Sequence, residues 1–174
     1  MYINLETKRL RIRPIKLADA GFILTLTNSK GWLKYIGDRN ISNTILAKKY
    51  IQKILDNPNY FYSVFELKEL QKAIGIVTFL HRTDEKFPDI GFALLPEFEK
   101  KGYTLEASRE YLKKVKQSNQ YGNIIAITLP HNQRSIGLLE KLGLKYQGDH
   151  KKGNETLSYY SVKKLKEASR EQMG

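Results

Sequence analysis

The chain has 174 residues and contains no cysteine, which excludes disulfides, thiolate catalysis and cysteine-based zinc sites. No apolar run reaches the length of about 18 residues that a membrane-spanning helix needs, and charged residues from Glu6 onwards argue against a signal peptide. Length and composition predict one cytoplasmic domain over residues 1–174, ending in a charged tail at 165–174.

The chain is strongly basic, with 30 Lys and Arg against 18 Asp and Glu and a formal net charge of +12. Such a surface can attract a polyanionic cofactor, assist binding to an acidic acceptor or a ribosome, or simply keep the protein solvated. The lysines are spread along the chain, which favours the last interpretation. No basic motif typical of nucleic-acid readers occurs, so direct nucleic-acid binding is not predicted.

The first half of the chain carries the patterns of three strands and two helices. We expect strands at residues 8–15, 60–67 and 73–80 and helices at 17–26 and 44–55. Asn43 or a neighbouring hydroxyl residue can cap the second helix, whose apolar face would include Leu55. Residues 32–40 mix aromatic and charged side chains, so this stretch is expected to be irregular.

The second half alternates strands with helices and ends in a hairpin. We expect strands at residues 89–95, 123–129, 144–148 and 156–162, and helices from Gly102 and over 132–142. Pro96 and Pro130 stop the first two of these strands, and Gly143 ends the last helix. This order predicts an α/β (α+β) fold whose mixed, mainly antiparallel sheet has helices on both faces.

The connection between residues 95 and 104 has the features of an anion site. A strand is followed by a loop with Lys100 and Lys101, and Gly102 opens a helix. Helix N-termini present free N–H groups and partial positive charge, and a glycine lets a phosphate approach the main chain. The same residues are also typical of an ordinary strand–helix connection, and the local pattern leaves both interpretations open.

Two blocks of sequence extend this observation. The segments IGFALLPEFEKKGYTLEA and PHNQRSIGLLEKLGLKYQG, together with LETKRLRIRPI and NSKGWLKYIGD, resemble the GNAT N-acetyltransferases. The resemblance is to the branch that contains the ribosomal-protein-alanine N-acetyltransferases, and it covers roughly residues 5 to 163. It implies a GNAT-like sheet in which the strands at 89–95 and 123–129 are parallel neighbours that splay apart. It also implies acetyl-CoA as co-substrate, with its pantetheine arm between those strands, and no metal.

The resemblance implies a donor site built largely from main chain. Pantetheine would contact the backbone of Phe92, Ala93 and Leu94, whose alternative role is core packing. The expected pyrophosphate and further cofactor contacts are Lys100, Lys101, Gly102, Tyr103, Thr104 and Lys141. Glu99 departs from the family pattern, which has Gln or Arg there, and often Trp in this branch. A carboxylate near a pyrophosphate is unfavourable unless it points outward or pairs with a lysine.

Asn132 and Ser135 are the polar residues predicted to act near the thioester. Asn132 follows a buried strand and can simply cap the next helix, while the resemblance implies that it binds the pantetheine arm. Ser135 matches the serine of this branch and lies one turn further on the same side. The resemblance implies that it orients or protonates the leaving thiolate. Leu139 stands where many of these enzymes have a tyrosine acid, so we expect no acid there.

The general base and the acceptor site are the least determined parts. Asp89, His81 and Glu85 are candidate bases, and a water chain is an equal alternative. The resemblance implies that an acceptor cleft contains Trp32, Tyr35, Asp38 and Arg39, with His81 on the same side. A packed loop is the alternative interpretation of residues 32–39.

The sequence therefore predicts direct transfer of an acetyl group to a primary amine, either a protein N-terminus or a small-molecule amine. A ribosomal or other protein acceptor fits the basic surface, and the enzyme is expected to be a monomer or a homodimer. Alternatives are an enzyme that uses a different acyl-CoA, a non-catalytic acyl-CoA-binding or regulatory module, and a nucleic-acid-binding protein that relies on charge.

Overall fold

A computed structural model describes residues 1–163, so the tail predicted at 165–174 lies outside the described residues. Eight strands form one sheet in the order β1-β2-β3-β4-β5-β6-β8-β7. The strands are β1 (Leu5–Glu6), β2 (Leu10–Pro14), β3 (Tyr60–Leu67), β4 (Lys72–Leu80), β5 (Asp89–Leu94), β6 (Ile125–Thr128), β7 (Lys145–Lys152) and β8 (Glu155–Ser161). All neighbouring pairs are antiparallel except β5 and β6, which are parallel. The predicted mixed, mainly antiparallel sheet is confirmed.

Five α-helices connect or flank these strands. They are α1 (Ala20–Thr27), α2 (Lys30–Tyr35), α3 (Thr44–Leu55), α4 (Tyr103–Gln117) and α5 (Gln133–Lys141). The N-caps of α3 and α5 are Asn43 and Asn132, each accepting a hydrogen bond from a first-turn N–H. No helix among residues 1–163 combines the length and the apolar character needed to cross a membrane.

The centre of the sheet is covered on both faces. Every residue of β4 from Ile74 to Leu80 is buried, although successive side chains point to opposite faces. Phe79 contacts the Tyr111 ring of α4 on one face. Tyr62, which pairs with Thr78, contacts the Tyr50 ring of α3 on the other face. The predicted arrangement of helices on both faces is therefore confirmed.

Two local predictions are wrong. The stretch at 32–40 was expected to be irregular, but its first part belongs to α2, which Ser29 caps by accepting from the Trp32 N–H. A single buried residue, Trp32, fixes this short helix, so there is no apolar periodicity to detect. Leu55 was expected on the buried face of α3 and is 38% exposed, whereas Ala47, Ile51 and Ile54 of the same helix are buried.

The strands β5 and β6 pair at one point and then separate. Their register contains only Asp89 opposite Ile125, and the Ile125 N–H donates to the Pro88 carbonyl at 2.9 Å. No further residue of β6 is in register with β5, and the N–H of Ile127 lies close enough to the Asp89 carboxylate to lower the pKa of that group. Because the two strands are parallel, both C-terminal ends lie at the same end of the sheet. The helix α4 follows β5 and the helix α5 follows β6, so the two helices begin on either side of the space between the strands. We call this space, beyond the Asp89–Ile125 pair, the gap.

Candidate functional site

Within the described residues, the main chain of β5 has no strand partner where it borders the gap. Pro88, just before β5, accepts a hydrogen bond from β6, and Leu95, just after β5, donates one to β4. Main-chain groups alternate in direction along a strand. The N–H and C=O groups of Phe92 and Leu94 are therefore directed into the gap, whereas those of Ala93 face β4. An extended, amide-bearing molecule can pair with Phe92 and Leu94 as an added strand would.

The loop before α4 turns tightly and leaves helix N–H groups free. Lys100 and Gly102 have positive φ values of 62° and 78°. The first hydrogen bond inside α4 is from the Glu106 N–H to the Gly102 carbonyl, at 3.0 Å. The N–H groups of Tyr103 and Thr104 therefore have no helical acceptor and can bind an anion at the N-terminus of α4. Lys100 and Lys101 are both exposed beside them.

Arg9 supports this loop from the beginning of the chain. Its Nη1 donates to the Lys101 carbonyl at 2.9 Å, and its guanidinium lies 4.4 Å from the centre of the Tyr103 ring. Its Nε donates to Glu106 Oε2 at 2.7 Å, which ties α4 to the N-terminal strands. The sequence offered no sign of this role, because Arg9 reads as one of several outward residues of an alternating strand.

Glu99, the residue that departs from the family pattern, is neutralised by Arg134. The Glu99 Oε2 accepts a hydrogen bond from Nη1 of Arg134, the second residue of α5. The carboxylate is thus paired with an arginine across the gap and not with one of the lysines in its own loop. The carboxylate at Glu99 was the sequence signal for a compensating cation, and the lysine expected as its partner is wrong.

Asn132 and Ser135 form a closed pair at the start of α5. The Asn132 side chain is buried, its Oδ1 accepts from the Ser135 N–H at 3.3 Å, and its Nδ2 donates to Ser135 Oγ at 2.9 Å. The cap predicted for Asn132 is therefore present. Because Ser135 Oγ already accepts a hydrogen bond, its own hydroxyl hydrogen remains available to donate to another group.

The other two residues considered on α5 lie away from this pair. Leu139 is 1% exposed and belongs to the hydrophobic core, in keeping with the expected lack of an acid there. Lys141 is exposed at the last residue of α5, roughly 13 Å along the helix from its start. Its carbonyl accepts from Arg109 Nη2 of α4 at 3.5 Å. The cofactor contact expected for Lys141 stays a prediction.

Asp89 is buried at the point where β5 and β6 separate. It is 4% exposed and accepts a hydrogen bond from Arg82 Nε at 2.8 Å. Burial raises the pKa of Asp89, against the opposing effects of the Arg82 charge and the Ile127 N–H, and the charge of Glu85 raises it further. Arg82 therefore holds the carboxyl group in place, whereas the charge of Glu85 repels its ionised form.

Two tyrosines and two arginines lie on the same face of the sheet as Asp89. The hydroxyls of Tyr50 and Tyr62 are 3.5 Å apart. Burial raises the pKa of Tyr62 well above its usual range, the Tyr50 hydroxyl adds to this, and the charges of Arg39 and Arg82 oppose it. Of these, only Arg39 was predicted as an acceptor residue. The others were read as ordinary strand, helix and link positions.

The remaining predicted acceptor residues are dispersed. Trp32 is 4% exposed in the core, so it is not an open cleft wall, and its Nε1 has no hydrogen-bond partner in the described part of the chain. Tyr35 is half-buried with its ring 6.0 Å from that of His131, next to Asn132. Asp38 accepts from the Asn40 N–H at 2.7 Å and shapes a turn.

His81 lies on the opposite face of the sheet from Asp89. Its ring packs against Phe79, Phe61 and Tyr121. Burial lowers the pKa of His81. The structure therefore separates His81 from Arg39, Tyr50 and Tyr62.

No group of three or more His, Asp or Glu residues within 1–163 is arranged to hold a metal ion.

Comparison with known proteins agrees with this geometry. The family model described as "Acetyltransferase (GNAT) domain" matches residues 9–145. The chain belongs to the GNAT family. An uncharacterized N-acetyltransferase, YnaD of Bacillus subtilis, is 28% identical over 167 residues, which are 92% of this chain and 96% of that protein.

Two solved GNAT structures have the same fold. A GNAT-family acetyltransferase from Bacillus anthracis is 25% identical, with a TM-score of 0.79, and the match covers 92% of this chain and 98% of that one. A ribosomal L7/L12 α-N-protein acetyltransferase, solved in complex with coenzyme A, is 13% identical with a TM-score of 0.78. That match covers 89% of this chain and 94% of the other. The chain is therefore a GNAT protein with the fold of N-acetyltransferases.

Proposed function

We propose that this GNAT protein is a single acetyltransferase domain that transfers the acetyl group of acetyl-CoA directly to a primary amine. The observation that carries the proposal is the gap, where free main-chain groups of Phe92 and Leu94 lead towards the free N–H groups at the start of α4. The amides of a pantetheine arm can pair with the main chain of Phe92 and Leu94. A pyrophosphate can bind the N–H groups at the start of α4. The coenzyme A bound by the L7/L12 acetyltransferase of the same fold supports this choice of donor.

The same groups supply the electrostatic part of the reaction. When an amine attacks the thioester, the carbonyl oxygen of the thioester becomes anionic. A main-chain N–H directed at this oxygen stabilises it. The Phe92 or Leu94 N–H has that direction. The carbon–sulfur bond then breaks and the electron pair leaves on sulfur. Ser135 donates a hydrogen bond from its hydroxyl to this thiolate and keeps its own proton, while the thiolate leaves as the anion or takes a proton from water. Asn132 Nδ2 fixes the orientation of Ser135 Oγ.

The carboxylates near the gap favour an acceptor that loses its proton easily. Asp89 is engaged by Arg82, and Glu85 Oε1 accepts from Lys152 at 2.9 Å and from the Tyr159 hydroxyl at 2.7 Å. Neither is a free base. We therefore assign Asp89 a positioning role. The acceptor amine loses its ammonium proton to water.

An α-amine, with an ordinary pKa of about 8, is partly neutral at pH 7 without a base, whereas an alkyl amine near about 10.4 is not. This difference favours a protein or peptide N-terminus over a polyamine. The basic surface, with its formal net charge of +12, supports a protein acceptor such as a ribosomal protein.

The proposal is tested by release of free CoA from acetyl-CoA over a panel of amines. The panel contains peptides with a free N-terminus, the same peptides with a blocked N-terminus and a lysine, a polyamine and an amino sugar. We expect turnover with free N-termini and intersecting initial-rate patterns, because donor and acceptor must be bound together. Binding of acetyl-CoA with no formation of free CoA for any amine of the panel would instead identify a non-catalytic module. Salt-sensitive RNA binding without CoA affinity would contradict both.

A further inference from the structure

The ion pair between Glu99 and Arg134 crosses the open end of the gap. Glu99 belongs to the loop between β5 and α4, and Arg134 to the first turn of α5. The loop follows β5 and α5 follows β6, and these two strands pair only at Asp89 and Ile125. Glu99 and Arg134 therefore form an ion pair that links the two sides of the gap. A donor whose phosphates reach the start of α4 must pass beside this pair.

The pair holds an arginine on the α5 side of the gap, opposite the lysines of the loop before α4. Of the nearby arginines, Arg9 is bound to Glu106 and to the Lys101 carbonyl, so it is committed to holding the loop. Lys100 and Lys101 are exposed on the α4 side of the gap. Arg134 is the arginine on the α5 side, and its planar group binds phosphate as well as carboxylate.

The exposure of the pair makes an exchange of partners inexpensive. The Arg134 side chain is 68% exposed and that of Glu99 is 31% exposed. Exposed ion pairs contribute little to stability, since water screens them and two flexible side chains must be held in place. A ligand with several phosphate charges therefore competes well with one carboxylate for the same guanidinium.

We propose that Arg134 is a phosphate-binding residue of the donor site and that Glu99 occupies it until CoA arrives. This inference rests on the proposed function, because it names a contact of the same donor. Glu99 then weakens donor binding twice, by holding the arginine and by placing a negative charge beside the phosphates. Arg134 changes partner from the Glu99 carboxylate to a phosphate, with no covalent step.

The rival explanation is a structural clamp that keeps the two sides of the gap together. A clamp predicts that loss of either side chain lowers the melting temperature and weakens donor binding. The exchange predicts opposite effects of the two variants on donor binding. The comparison of Glu99→Gln with Arg134→Gln therefore separates the two explanations.

The experiment measures CoA and dephospho-CoA binding by calorimetry for the full chain, Glu99→Gln and Arg134→Gln. We expect Glu99→Gln to lower the Kd for CoA about threefold to fivefold and Arg134→Gln to raise it by a similar factor, the size expected for one exposed charge pair. An effect of Arg134→Gln that persists with dephospho-CoA identifies the pyrophosphate as its partner. An effect confined to CoA identifies the 3′-phosphate.

Glu110 and Lys113 of α4 provide a matched control. They form an ion pair with side chains 30% and 60% exposed, close to the values for Glu99 and Arg134. Glu110→Gln and Lys113→Gln make the same charge changes and should leave the Kd within about twofold. Equal CoA affinity in all five proteins, or weaker binding by Glu99→Gln, would overturn the inference alone. Failure of the unaltered chain to bind CoA would overturn the proposed function itself.

Discussion

At the residue scale, the hydrogen bond between Asn132 and Ser135 decides what each can do. Asn132 uses both side-chain atoms on Ser135, with Oδ1 on the N–H and Nδ2 on Oγ. Capping and catalysis are therefore compatible for this residue, since the cap itself aims the serine. Ser135 retains one hydrogen to donate, and no carboxylate or histidine among residues 1–163 is bonded to it that would turn it into a nucleophile.

Ser135→Ala tests the role of that hydrogen. The variant keeps the N–H that caps on Asn132 and loses only the hydroxyl, so we expect kcat to fall about tenfold or more while the Kd for CoA changes less than threefold. Steady-state kinetics and calorimetry measure the two quantities. Ser42→Ala, an exposed serine ahead of α3, serves as the control and should change neither. A normal kcat in Ser135→Ala would remove this residue from the reaction.

The sequence predicted polar residues of this kind better than it predicted their partners. Asn132 and Ser135 could be recognised because spacing along one helix is a local property. The partner of Glu99 was expected among the lysines and is Arg134, which is 35 positions away in sequence. Only the side-by-side placement of two elements selects that partner.

At the scale of elements, the start of α4 combines a conformational and a chemical demand. Gly102 has a φ of 78°, which residues with a Cβ adopt at a cost of about 1–2 kcal/mol. A Cβ added there would lie 3.5 Å from Arg9 Nη2, so space alone does not exclude a small side chain. The glycine is needed mainly because the main chain must turn into α4 in a left-handed conformation.

Gly102→Val should therefore affect both the helix start and the donor. A β-branched residue disfavours the positive φ, so the first turn of α4 shifts and its free N–H groups no longer converge on a phosphate. We expect the Kd for CoA to rise tenfold or more and the free energy of unfolding to fall by about 1–2 kcal/mol. Calorimetry and chemical denaturation measure the two effects.

Gly122→Val is the control for that substitution. Gly122 has no heavy atom within 4 Å of an added Cβ and is not in the left-handed region. Both quantities should stay near their original values. If Gly102→Val bound CoA as tightly as the unaltered chain, the N-terminus of α4 would not be the phosphate site.

The element pattern was largely predictable, with exceptions that have a common cause. Strands with alternating or continuous apolar residues, such as β2 and β4, were found at nearly the correct positions. The helix α2 was missed because a single buried tryptophan carries its packing. Short elements are stabilised by neighbours, and a local pattern does not contain the neighbours.

At the scale of the whole molecule, Glu106 of α4 connects the donor site to the N-terminal strands. Its carboxylate accepts from Thr7 Oγ1 at 2.5 Å, from the Arg9 N–H at 3.0 Å and from Arg9 Nε at 2.7 Å. These bonds connect the N-terminal strands to α4. Burial alone would raise the pKa of Glu106, but the bonds from Thr7 and Arg9 outweigh it and the pKa is lowered.

Glu106→Gln should therefore destabilise the protein in a pH-dependent way. A carboxyl whose folded pKa is lowered contributes stability above its unfolded value, and that contribution is lost as the pH falls through the folded pKa. At pH 7 we expect a loss of about 1–2 kcal/mol, since charged hydrogen bonds are replaced by neutral ones. Below about pH 4.5 the difference from the unaltered chain should narrow.

Urea denaturation at pH 7 and at acidic pH measures this difference. Glu69→Gln, an exposed glutamate in the β3–β4 turn, is the control and should show no comparable dependence. A difference for Glu106→Gln that stays constant with pH would show that its packing, and not its charge, stabilises α4.

The sequence by itself determined the class of fold, the order of most elements, the glycine and lysines before α4, and the Asn132–Ser135 pair. These depend on periodicity, turn chemistry and spacing within one element, which are local properties. The tertiary structure alone decided that Arg9 and Glu106 meet across 97 positions, that Arg134 holds Glu99, and that His81 and Asp89 lie on opposite faces. Such contacts depend on which strands become neighbours and where they separate, and that is set by the packing of the whole sheet.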